Sequence, residues 1–313
     1  IPFVGEAYLK AWRLSGEKAC LDAAIEVADA LIRGQLESGG WSSSFDLAPE
    51  GRSRYAYRVD ADAAGQDAQR KRNLTTFDDN KSQSAVMLLM HVDEALEFQN
   101  DRIHEAVDFA LARMLASQYP NGAWPQQFSE PPDATQFPVK KAAYPQAWPR
   151  THPQQKYISF YTLNDSNMSR IIDMLIEAHR IYDRDDCFQA AEKTGDFFLL
   201  AQMPEPQPGW AQQYNRDMHP VWARRFEPAS ITGGESQAVM KSLLTLYAFT
   251  GEEKFIGSLP QAIAYYRRSL LPDGRLARFY ELQTNRPLYF TKDYELTFSD
   301  DDMPTHYAFK VGS

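Results

Sequence analysis

Apolar side chains recur along this chain at the spacing of α-helices. In one segment they fall at intervals of three or four residues: Ile103, Val107, Ala110, Leu111, Met114 and Leu115. An earlier segment has the same spacing at Leu21, Ile25, Ala28 and Ile32. Because such positions form one stripe on a helix, both segments are predicted to be amphipathic helices. Similar patterns predict further helices over 84–98, 166–182 and 236–249.

The predicted helices come in pairs, and the pair repeats four times. Each copy ends in a turn, at Gly39-Gly40-Trp41, Asn121-Gly122-Ala123-Trp124, Gly209-Trp210 and Asp273-Gly274-Arg275. The three tryptophans are 83 and 86 residues apart (124 − 41 and 210 − 124), a nearly constant spacing. One helix pair cannot bury its apolar face alone, so stacked neighbours must supply the core. The repeat predicts an all-α toroid or helical solenoid in one domain over residues 1–313, although length alone suggests about two domains.

Two stretches interrupt the repeat. Residues 48–74 are polar and charged, with acidic and basic residues at Arg52, Arg54, Arg58, Asp60, Asp62, Asp67, Arg70, Lys71 and Arg72. Residues 128–156 are rich in proline and also contain Phe137, Tyr144 and Trp148. Loops longer than about 12–15 residues in compact domains are usually functional or disordered. The aromatic residues of the second stretch favour an ordered loop that covers part of the domain.

Composition excludes several classes of protein. The 313 residues are 43% hydrophobic, enough for a large core, and 33 Lys+Arg against 42 Asp+Glu give a formal charge of −9. This acidic balance argues against nucleic acid or an anionic membrane as partner. No apolar run approaches the ~20 residues of a membrane span. With only Cys20 and Cys187, a disulfide framework is excluded, and their equivalent positions in different repeats predict two small buried side chains. The chain begins at Ile1 with no signal-like segment, so its compartment cannot be read from its start.

Polar clusters mark the positions where chemistry is expected. Motifs of serine hydrolases, zinc proteases and phosphate-binding loops are absent from the sequence. Instead, polar residues gather at 75–81, 161–168, 222–228 and 277–280, with Lys292 and Asp293 following. Three of the clusters precede the first helix of a repeat, so a toroid would gather them at one end. Convergence of equivalent helix ends would form a pocket there.

These clusters have a structural and a functional interpretation. Asp79, Asn80, Asn164 and Asp165 are all good helix N-caps. The same oxygen-rich groups suit a hard cation such as Ca²⁺. The arginines in the later clusters suit the binding of carboxylates or phosphates. A bound metal cation and several arginines together would indicate an anionic ligand. Trp41, Trp124 and Trp210 either stack on sugar rings or form part of the repeat's core.

The motifs, taken in order, resemble those of the polysaccharide lyase family 10 pectate lyases. They are Gly-Gly-Trp at 39–41, Thr-Thr-Phe-Asp-Asp-Asn at 75–80, Tyr-Pro-Asn-Gly-Ala-Trp-Pro-Gln at 119–126, Thr-Leu-Asn-Asp-Ser-Asn-Met at 162–168, Gly-Trp-Ala-Gln-Gln-Tyr at 209–214, Ala-Arg-Arg-Phe-Glu-Pro at 223–228 and Ala-Arg-Phe-Tyr at 277–280. The resemblance extends from about Pro2 to about residue 300. It implies an (α/α)3 toroid with long loops and short irregular β segments. It also implies calcium-dependent β-elimination of polygalacturonate, which gives 4,5-unsaturated products.

The resemblance further implies roles for individual residues. Asp165 resembles the family's main calcium-binding aspartate, and the aspartate of the 75–80 motif resembles its partner. Many family members have one aspartate before the asparagine of this motif, whereas this sequence has Asp-Asp-Asn. If the motif is aligned from Thr76 without a gap, Asp78 matches the family's aspartate, and Asp79 is the second candidate. Arg224 resembles the catalytic base. Since arginine normally stays protonated, we expect nearby cations (Arg225 and Ca²⁺) to favour its neutral form and the rate to rise with pH.

The remaining assignments concern the substrate. Arg278 resembles a substrate-carboxylate binder, and Lys292 stands where the family commonly has another substrate arginine. Lysine lacks the bidentate fork, so one subsite is expected to differ. The other residues assigned to substrate binding are Asn80, Asn164, Arg225, Trp124 and Trp210. The 128–156 stretch is longer than is usual in the family, and we expect it to narrow or extend the binding groove.

The expected partner is polygalacturonate, bound by a monomer. Because that polymer is too large to enter a cell, a secreted, periplasmic or cell-surface location is expected. Two alternatives remain open at this stage: an inactive or divergent carbohydrate-binding homologue, and an (α/α)-toroid glycosidase or epimerase. A glycosidase or epimerase would need a carboxylate pair or a histidine pair across the pocket.

Overall fold

The structure is a computed structural model that describes residues 1–63 and 71–303. The described helices are α1 (Pro2–Ser15), α2 (Lys18–Arg33), α3 (Pro49–Arg52), α4 (Lys81–Ala95), α5 (Asp101–Ala116), α6 (Asn167–Tyr182), α7 (Asp185–Ala201), α8 (Gly233–Thr250), α9 (Lys254–Gly257) and α10 (Leu259–Arg268). The four predicted pairs are confirmed as α1/α2, α4/α5, α6/α7 and α8/α10. In the fourth pair, the short helix α9 precedes α10. Among the described helices none is long and apolar enough to cross a membrane.

Short antiparallel strands flank the helix pairs. They are β1 (Thr75–Thr76), β2 (Gln127–Phe128), β3 (Tyr161–Thr162), β4 (Gln213–Tyr214), β5 (Ser230–Thr232), β6 (Phe279–Glu281), β7 (Pro287–Phe290) and β8 (Leu296–Thr297). Strand β1 pairs with β2, β3 pairs with β4, and the last four strands form one sheet in the order β5-β6-β7-β8. The pairs Thr75–Phe128 and Tyr161–Tyr214 span the same 53 residues (128 − 75 and 214 − 161). Each such repeat therefore consists of a strand, two helices, a tryptophan turn and a closing strand.

The chain forms two compact units. Unit 1 comprises Ile1–Tyr119, Pro125–Asp133 and Arg170–Ala191, and unit 2 comprises Pro120–Trp124, Ala134–Ser169 and the chain from Glu192 onward. Helices α6 and α7 each contribute residues to both units. In unit 1, α1 packs on α2 and α4 packs on α5 around a buried apolar core. In unit 2, the buried core includes Phe197, Phe198 and Tyr265.

The turn tryptophans belong to the core. Trp41, Trp124 and Trp210 are at most 2% exposed. The indole N–H of Trp41 donates to the carbonyl of Leu31, and that of Trp210 to the carbonyl of Phe198, both at 2.8 Å. The assignment of Trp124 and Trp210 to substrate binding is therefore wrong, because a ring buried among protein atoms offers no face to a sugar. The alternative, that these residues form the core at the turns, is confirmed.

The first of the two stretches that interrupt the repeat contains short helices, and the second is hydrogen-bonded to the rest of the chain. In the first, α3 and a 3-10 helix (Arg58–Ala63) are described, whereas residues 64–70, with Asp67 and Arg70, lie outside the described residues. The second is the predicted covering loop: the Ala142 N–H donates to the Leu200 carbonyl at 2.7 Å, and the Tyr144 hydroxyl donates to the Pro204 carbonyl at 3.1 Å. We call residues 128–156 the Pro-rich segment.

Both cysteines are free. Cys187 is buried, as predicted, and burial raises the pKa of its thiol to about 12, which makes it unreactive. Cys20 is only half-buried, so the prediction of burial is wrong for this residue. It lies in the first turn of α2, near the end of that helix where packing is incomplete.

His91 on α4 links three helices of unit 1. Its Nδ1 lies 2.8 Å from a carboxylate oxygen of Glu6 on α1, and its Nε2 lies 3.0 Å from one of Glu177 on α6. Burial opposes a charge on the ring, but the hydrogen bonds and charges of the two carboxylates outweigh it and raise the pKa of His91. The protonated ring therefore holds two carboxylates at once.

We expect His91→Gln to destabilise the protein more at about pH 5.5 than at about pH 9, on either side of the usual histidine pKa. Because the pKa is higher in the folded than in the unfolded state, the stabilisation is complete below the unfolded value and disappears as pH rises through the folded value. Denaturant unfolding should give a loss of about 1–2 kcal/mol at the acidic pH and a smaller one at the alkaline pH. Equal losses at both pH values would contradict this origin.

Candidate active site

Two turns of the same construction lie between a strand and the helix that follows it. In unit 1 the 3-10 turn Asp78–Asn80 connects β1 to α4, and in unit 2 the 3-10 turn Asn164–Ser166 connects β3 to α6. Asp79 has φ 52° and ψ 29°, and Asp165 has φ 52° and ψ 30°. Both therefore adopt the left-handed conformation, which is uncommon outside glycine but which aspartate and asparagine adopt more readily than other residues. Asp79 is thus the structural equivalent of Asp165, and Asp78 is the equivalent of Asn164.

Helix capping does not explain the unit 1 turn. Asn80 occupies the N-cap position of α4, but its side chain makes no capping hydrogen bond. Asp79 instead forms an ion pair with Lys81 at 2.9 Å, and Asp78 accepts a hydrogen bond from Gln126 Nε2 at 3.2 Å. Asp79, Asn80 and Lys81 also line a cavity of about 420 Å³ within unit 1. The side chains of this turn are therefore held where solvent or a ligand can reach them.

The unit 2 turn is tied to the loop that carries Arg224. The guanidinium of Arg224 lies between two carboxylates: Nη2 is 3.0 Å from Asp165 and 2.6 Å from Glu227. The Nε of Arg224 donates to Glu227 at 2.8 Å, and its main-chain N–H donates to the same carboxylate at 3.2 Å. Arginine, Asp165 and Glu227 thus form one connected centre within unit 2.

Glu227 is the buried anchor of this centre. Its side chain is 2% exposed, and burial raises the pKa of its carboxyl, an effect that the bonds from Arg224 oppose. Glu227 has no role predicted from the sequence, although it lies three residues after Arg224 in the Ala-Arg-Arg-Phe-Glu-Pro motif. Gln212 is a second residue without a predicted role. Its Nε2 donates to Asn164 Oδ1 at 3.1 Å and so fixes the amide beside Asp165.

The surroundings of Arg224 differ from the predicted group of cations. Arg225 stacks over the ring of Tyr294 at 4.3 Å from the centroid, and its Nη2 donates to the main-chain oxygen of Asp293. Arg224 itself forms ion pairs with Asp165 and Glu227. The effect of Arg225 and Ca²⁺ on the protonation of Arg224 stays a prediction.

The other two predicted substrate cations also lie in unit 2. Arg278 is exposed, with its guanidinium over the Phe279 ring at 5.0 Å from the centroid. Lys292 is exposed and forms an ion pair with Asp302 at 2.7 Å. The hydrogen bond from the Lys292 ammonium to Asp302 raises the pKa of Lys292. A substrate carboxylate would have to share or displace this partner.

The fold has counterparts among solved structures. The chain is similar to a family 10 polysaccharide lyase from Cellvibrio cellulosa, with a TM-score of 0.61 and 20% identity over 94% of this chain and 86% of that chain. A mutant of that lyase in complex with trigalacturonic acid gives the same score and identity over 94% and 87% of the two chains. A sugar epimerase from a ruminal bacterium matches with a TM-score of 0.51 and 14% identity over 97% and 67%. These matches confirm the all-α fold of the α/α-toroid class.

The class defined by this fold, together with the motifs, is that of the polysaccharide lyases. A sequence model described as pectic acid lyase matches residues 35–276, which is most of the chain. The protein belongs to the pectic acid lyase family. The matched region contains Asp165, Arg224 and Glu227, whereas Arg278 and Lys292 lie beyond it. No curated protein sequence matches the chain.

Proposed function

We propose that the protein cleaves polygalacturonate by β-elimination, with Arg224 as the base. The C5 proton of galacturonate lies α to a carboxylate and is weakly acidic, so a base can remove it. The electron pair then forms the C4–C5 double bond as the C4–oxygen bond breaks, and the departing sugar oxygen takes up a proton. The observation that carries the proposal is the Asp165–Arg224–Glu227 centre in a chain of this family.

The carboxylates of Asp165 and Glu227 position Arg224. The carboxylate of Glu227 accepts hydrogen bonds from the side chain of Arg224 and from its main-chain N–H. The guanidinium therefore cannot rotate freely. A base held in one orientation loses little entropy when the substrate binds. A base must be unprotonated to remove a proton, and the neutral form of an arginine becomes more populated as pH rises. We therefore expect the rate to increase into the alkaline range.

We further propose that the protein uses Ca²⁺. The two turns offer carboxylate and amide oxygens, which are the donors that this hard cation prefers. When bound, the ion would offset the charge of the substrate carboxylate and stabilise the negative charge that develops on the substrate. Asp165 is the proposed principal ligand. Two residues are candidates for the second ligand. Alignment of the 75–80 motif with the family favours Asp78, whereas the left-handed backbone shared with Asp165 favours Asp79.

The remaining proposed site residues orient the substrate. Arg278 and Lys292 would bind carboxylates of the polymer, the arginine through its fork and the lysine as a point charge. Asn80 and Asn164 would donate or accept hydrogen bonds at sugar hydroxyls. Asn164 Oδ1 accepts from Gln212 and its Nδ2 donates to Asp165 at 2.6 Å, so only the second N–H of that amide would remain for a sugar. We expect a monomer that acts where the polymer is found, outside the cell or in the periplasm.

One assay tests the reaction and its alternatives. The protein is incubated with polygalacturonate, and the ultraviolet absorbance of unsaturated product is followed together with the release of reducing ends. Growth of absorbance that a calcium chelator stops, and that added Ca²⁺ restores, would support the proposal. Reducing ends without absorbance would indicate a hydrolase. Polymer binding with neither product would indicate a carbohydrate-binding homologue.

A further inference from the structure

A pocket of about 340 Å³ lies between the Pro-rich segment and the chain that follows β4, and all of its lining belongs to unit 2. Residues within 145–155 form one wall, and residues within 215–222 form the other. The volume is near the lower end of the roughly 300–1,000 Å³ that is usual for ligand sites, so it suits one small ring. None of the residues assigned to the reaction or to its substrate lines this pocket.

Hydrogen bonds hold the two walls together. The Ala143 N–H donates to the Met218 carbonyl at 3.1 Å, just outside one end of the pocket. At the other end, Gln155 Nε2 donates to the Trp222 carbonyl at 2.8 Å. The pocket is therefore formed by the fold itself and does not require a ligand to assemble it.

The same attachment continues toward Arg224. His152 Nε2 lies 3.0 Å from the main-chain oxygen of Ala223, and a carbonyl only accepts, so Nε2 carries the hydrogen. The Pro-rich segment is thus bonded to the two residues that precede Arg224. Its position beside the pocket is fixed on the side of the chain that leads to the proposed base.

Trp148 gives the pocket an aromatic surface that the protein does not use for its own packing. Its side chain is only half-buried. Within the part of the chain that the structure describes, it makes no hydrogen bond and no contact with another ring. Trp222 on the opposite wall is different, because it is 1% exposed and its indole N–H donates to the Arg224 carbonyl at 3.0 Å. A partly exposed indole can pack its face on C–H groups of a ligand and donate its N–H to an oxygen.

The polar groups of the pocket carry no formal charge. Asn215 Oδ1 accepts from the main-chain N–H groups of Asp217 and His219, at 3.0 and 3.1 Å, which fixes the amide and leaves Nδ2 as a donor. The ring nitrogens of His219 have no hydrogen-bond partner among the described residues, so the neutral ring can donate through one and accept through the other. Of the residues that line the pocket, none is an aspartate, glutamate, lysine or arginine.

We propose that this pocket binds one neutral sugar unit at a place separate from the site of cleavage. The C–H face of a pyranose packs on Trp148, and its hydroxyls pair with Asn215 Nδ2 and the ring nitrogens of His219. A uronate would bring a carboxylate into a pocket that offers no cation to pair with it, which is unfavourable, whereas a neutral sugar brings no charge. The role goes beyond the function proposed above, because it concerns an uncharged sugar and requires no reaction.

The test compares sugars that differ at one carbon. Methyl galactopyranoside and methyl galactopyranosiduronate share a ring, and only the second carries a carboxylate at C6. The same pair is used in the gluco and manno series, so that the result does not depend on one arrangement of hydroxyls. Affinities are measured by ligand-observed NMR titration with a chelator present. None of these compounds contains a bond between two sugars, so cleavage plays no part.

We expect at least one neutral glycoside to bind more tightly than its uronate. Trp148→Ala should weaken that binding about tenfold, and Trp148→Tyr should restore most of it, because tyrosine keeps an aromatic face. Asn215→Asp should weaken it about fivefold, since it keeps the oxygen that accepts from the main chain but loses the Nδ2 donor. Tyr247→Ala removes an exposed ring on α8 of unit 2 and serves as the control.

Weakening in Trp148→Ala and Asn215→Asp but not in Tyr247→Ala would establish the site. Absence of binding for every neutral glycoside would overturn it, and so would uronates that bind as tightly as their neutral partners with the same dependence on Trp148. Thermal unfolding of each variant shows whether a loss of affinity reflects a loss of folding. A protein that forms no unsaturated product could still bind the neutral sugar, so the two proposals fail separately.

Discussion

Arg224→Ala is expected to reduce the rate of unsaturated-product formation by about a thousandfold, the middle of the range for a lost general base. Arg224→Lys should be nearly as damaging, because a single ammonium cannot span Asp165 and Glu227 as the guanidinium does. The rates are measured at saturating polygalacturonate and Ca²⁺, and Arg267→Ala serves as the matched control. Turnover within about tenfold of wild type would remove Arg224 from the role of base.

Loss of folding would imitate this result, so a second variant is needed. Without Arg224, the carboxyl of Glu227 is left buried and unpaired, which is costly. The double variant Arg224→Ala/Glu227→Gln removes that charge while it keeps the shape of the side chain. It should unfold at nearly the temperature of wild type and still lack activity. A double variant that is stable and active would contradict the proposal as clearly as an active single variant.

Asp165→Asn is expected to raise the Ca²⁺ concentration for half-maximal activity by at least about a hundredfold, since the loss of even an outer-shell partner costs roughly 10- to 100-fold. The variant keeps the size of the side chain and the left-handed backbone, which asparagine tolerates. Ca²⁺ binding without substrate, followed by calorimetry, gives a second readout. Asp217→Asn, which removes an exposed carboxylate of unit 2, serves as the control. Unchanged Ca²⁺ affinity in Asp165→Asn would show that this residue is not a ligand.

The same measurements decide between the two aspartates of the first turn. If Asp78 is the partner ligand, as the motif register suggests, Asp78→Asn should weaken Ca²⁺ binding and Asp79→Asn should have a small effect. If structural equivalence to Asp165 determines the role, the order should be reversed. Because Asp79 is paired with Lys81, the single variant Lys81→Met breaks the ion pair but keeps the carboxylate, and so separates loss of the ion pair from loss of the ligand.

The helix pairs could be predicted from sequence because their signal is local. The stripe that includes Ile103, Val107 and Leu111 repeats within one helix, and these side chains are fully buried in α5. The strands could not be predicted in the same way. A two-residue strand such as β1 has no period, and its pairing with β2 depends on a partner 53 residues away (128 − 75).

Errors at the site have a related physical cause. A tryptophan that stacks on sugar and one that fills a core have the same sequence signature, and only burial distinguishes Trp124 and Trp210 from binding residues. The positive φ of Asp79 and Asp165 is likewise not visible in a sequence. The spacing of Arg224 and Glu227 does not predict their ion pair, because the i,i+3 pairing rule applies to helices and these residues lie in a turn. The burial of Glu227, which makes that pairing strong, could not be anticipated either.

The attachment of the Pro-rich segment affects how readily substrate range can change. His152 and Gln155 bond to the main-chain oxygens of Ala223 and Trp222, not to their side chains. Main-chain acceptors are present whatever residue occupies the position, so these bonds survive substitution of the loop. Insertions and replacements elsewhere in the segment can then change the surface beside Arg224 while Arg224 keeps its place. In an evolving lineage, preference for longer or differently charged polymers can thus diverge without passing through an inactive enzyme.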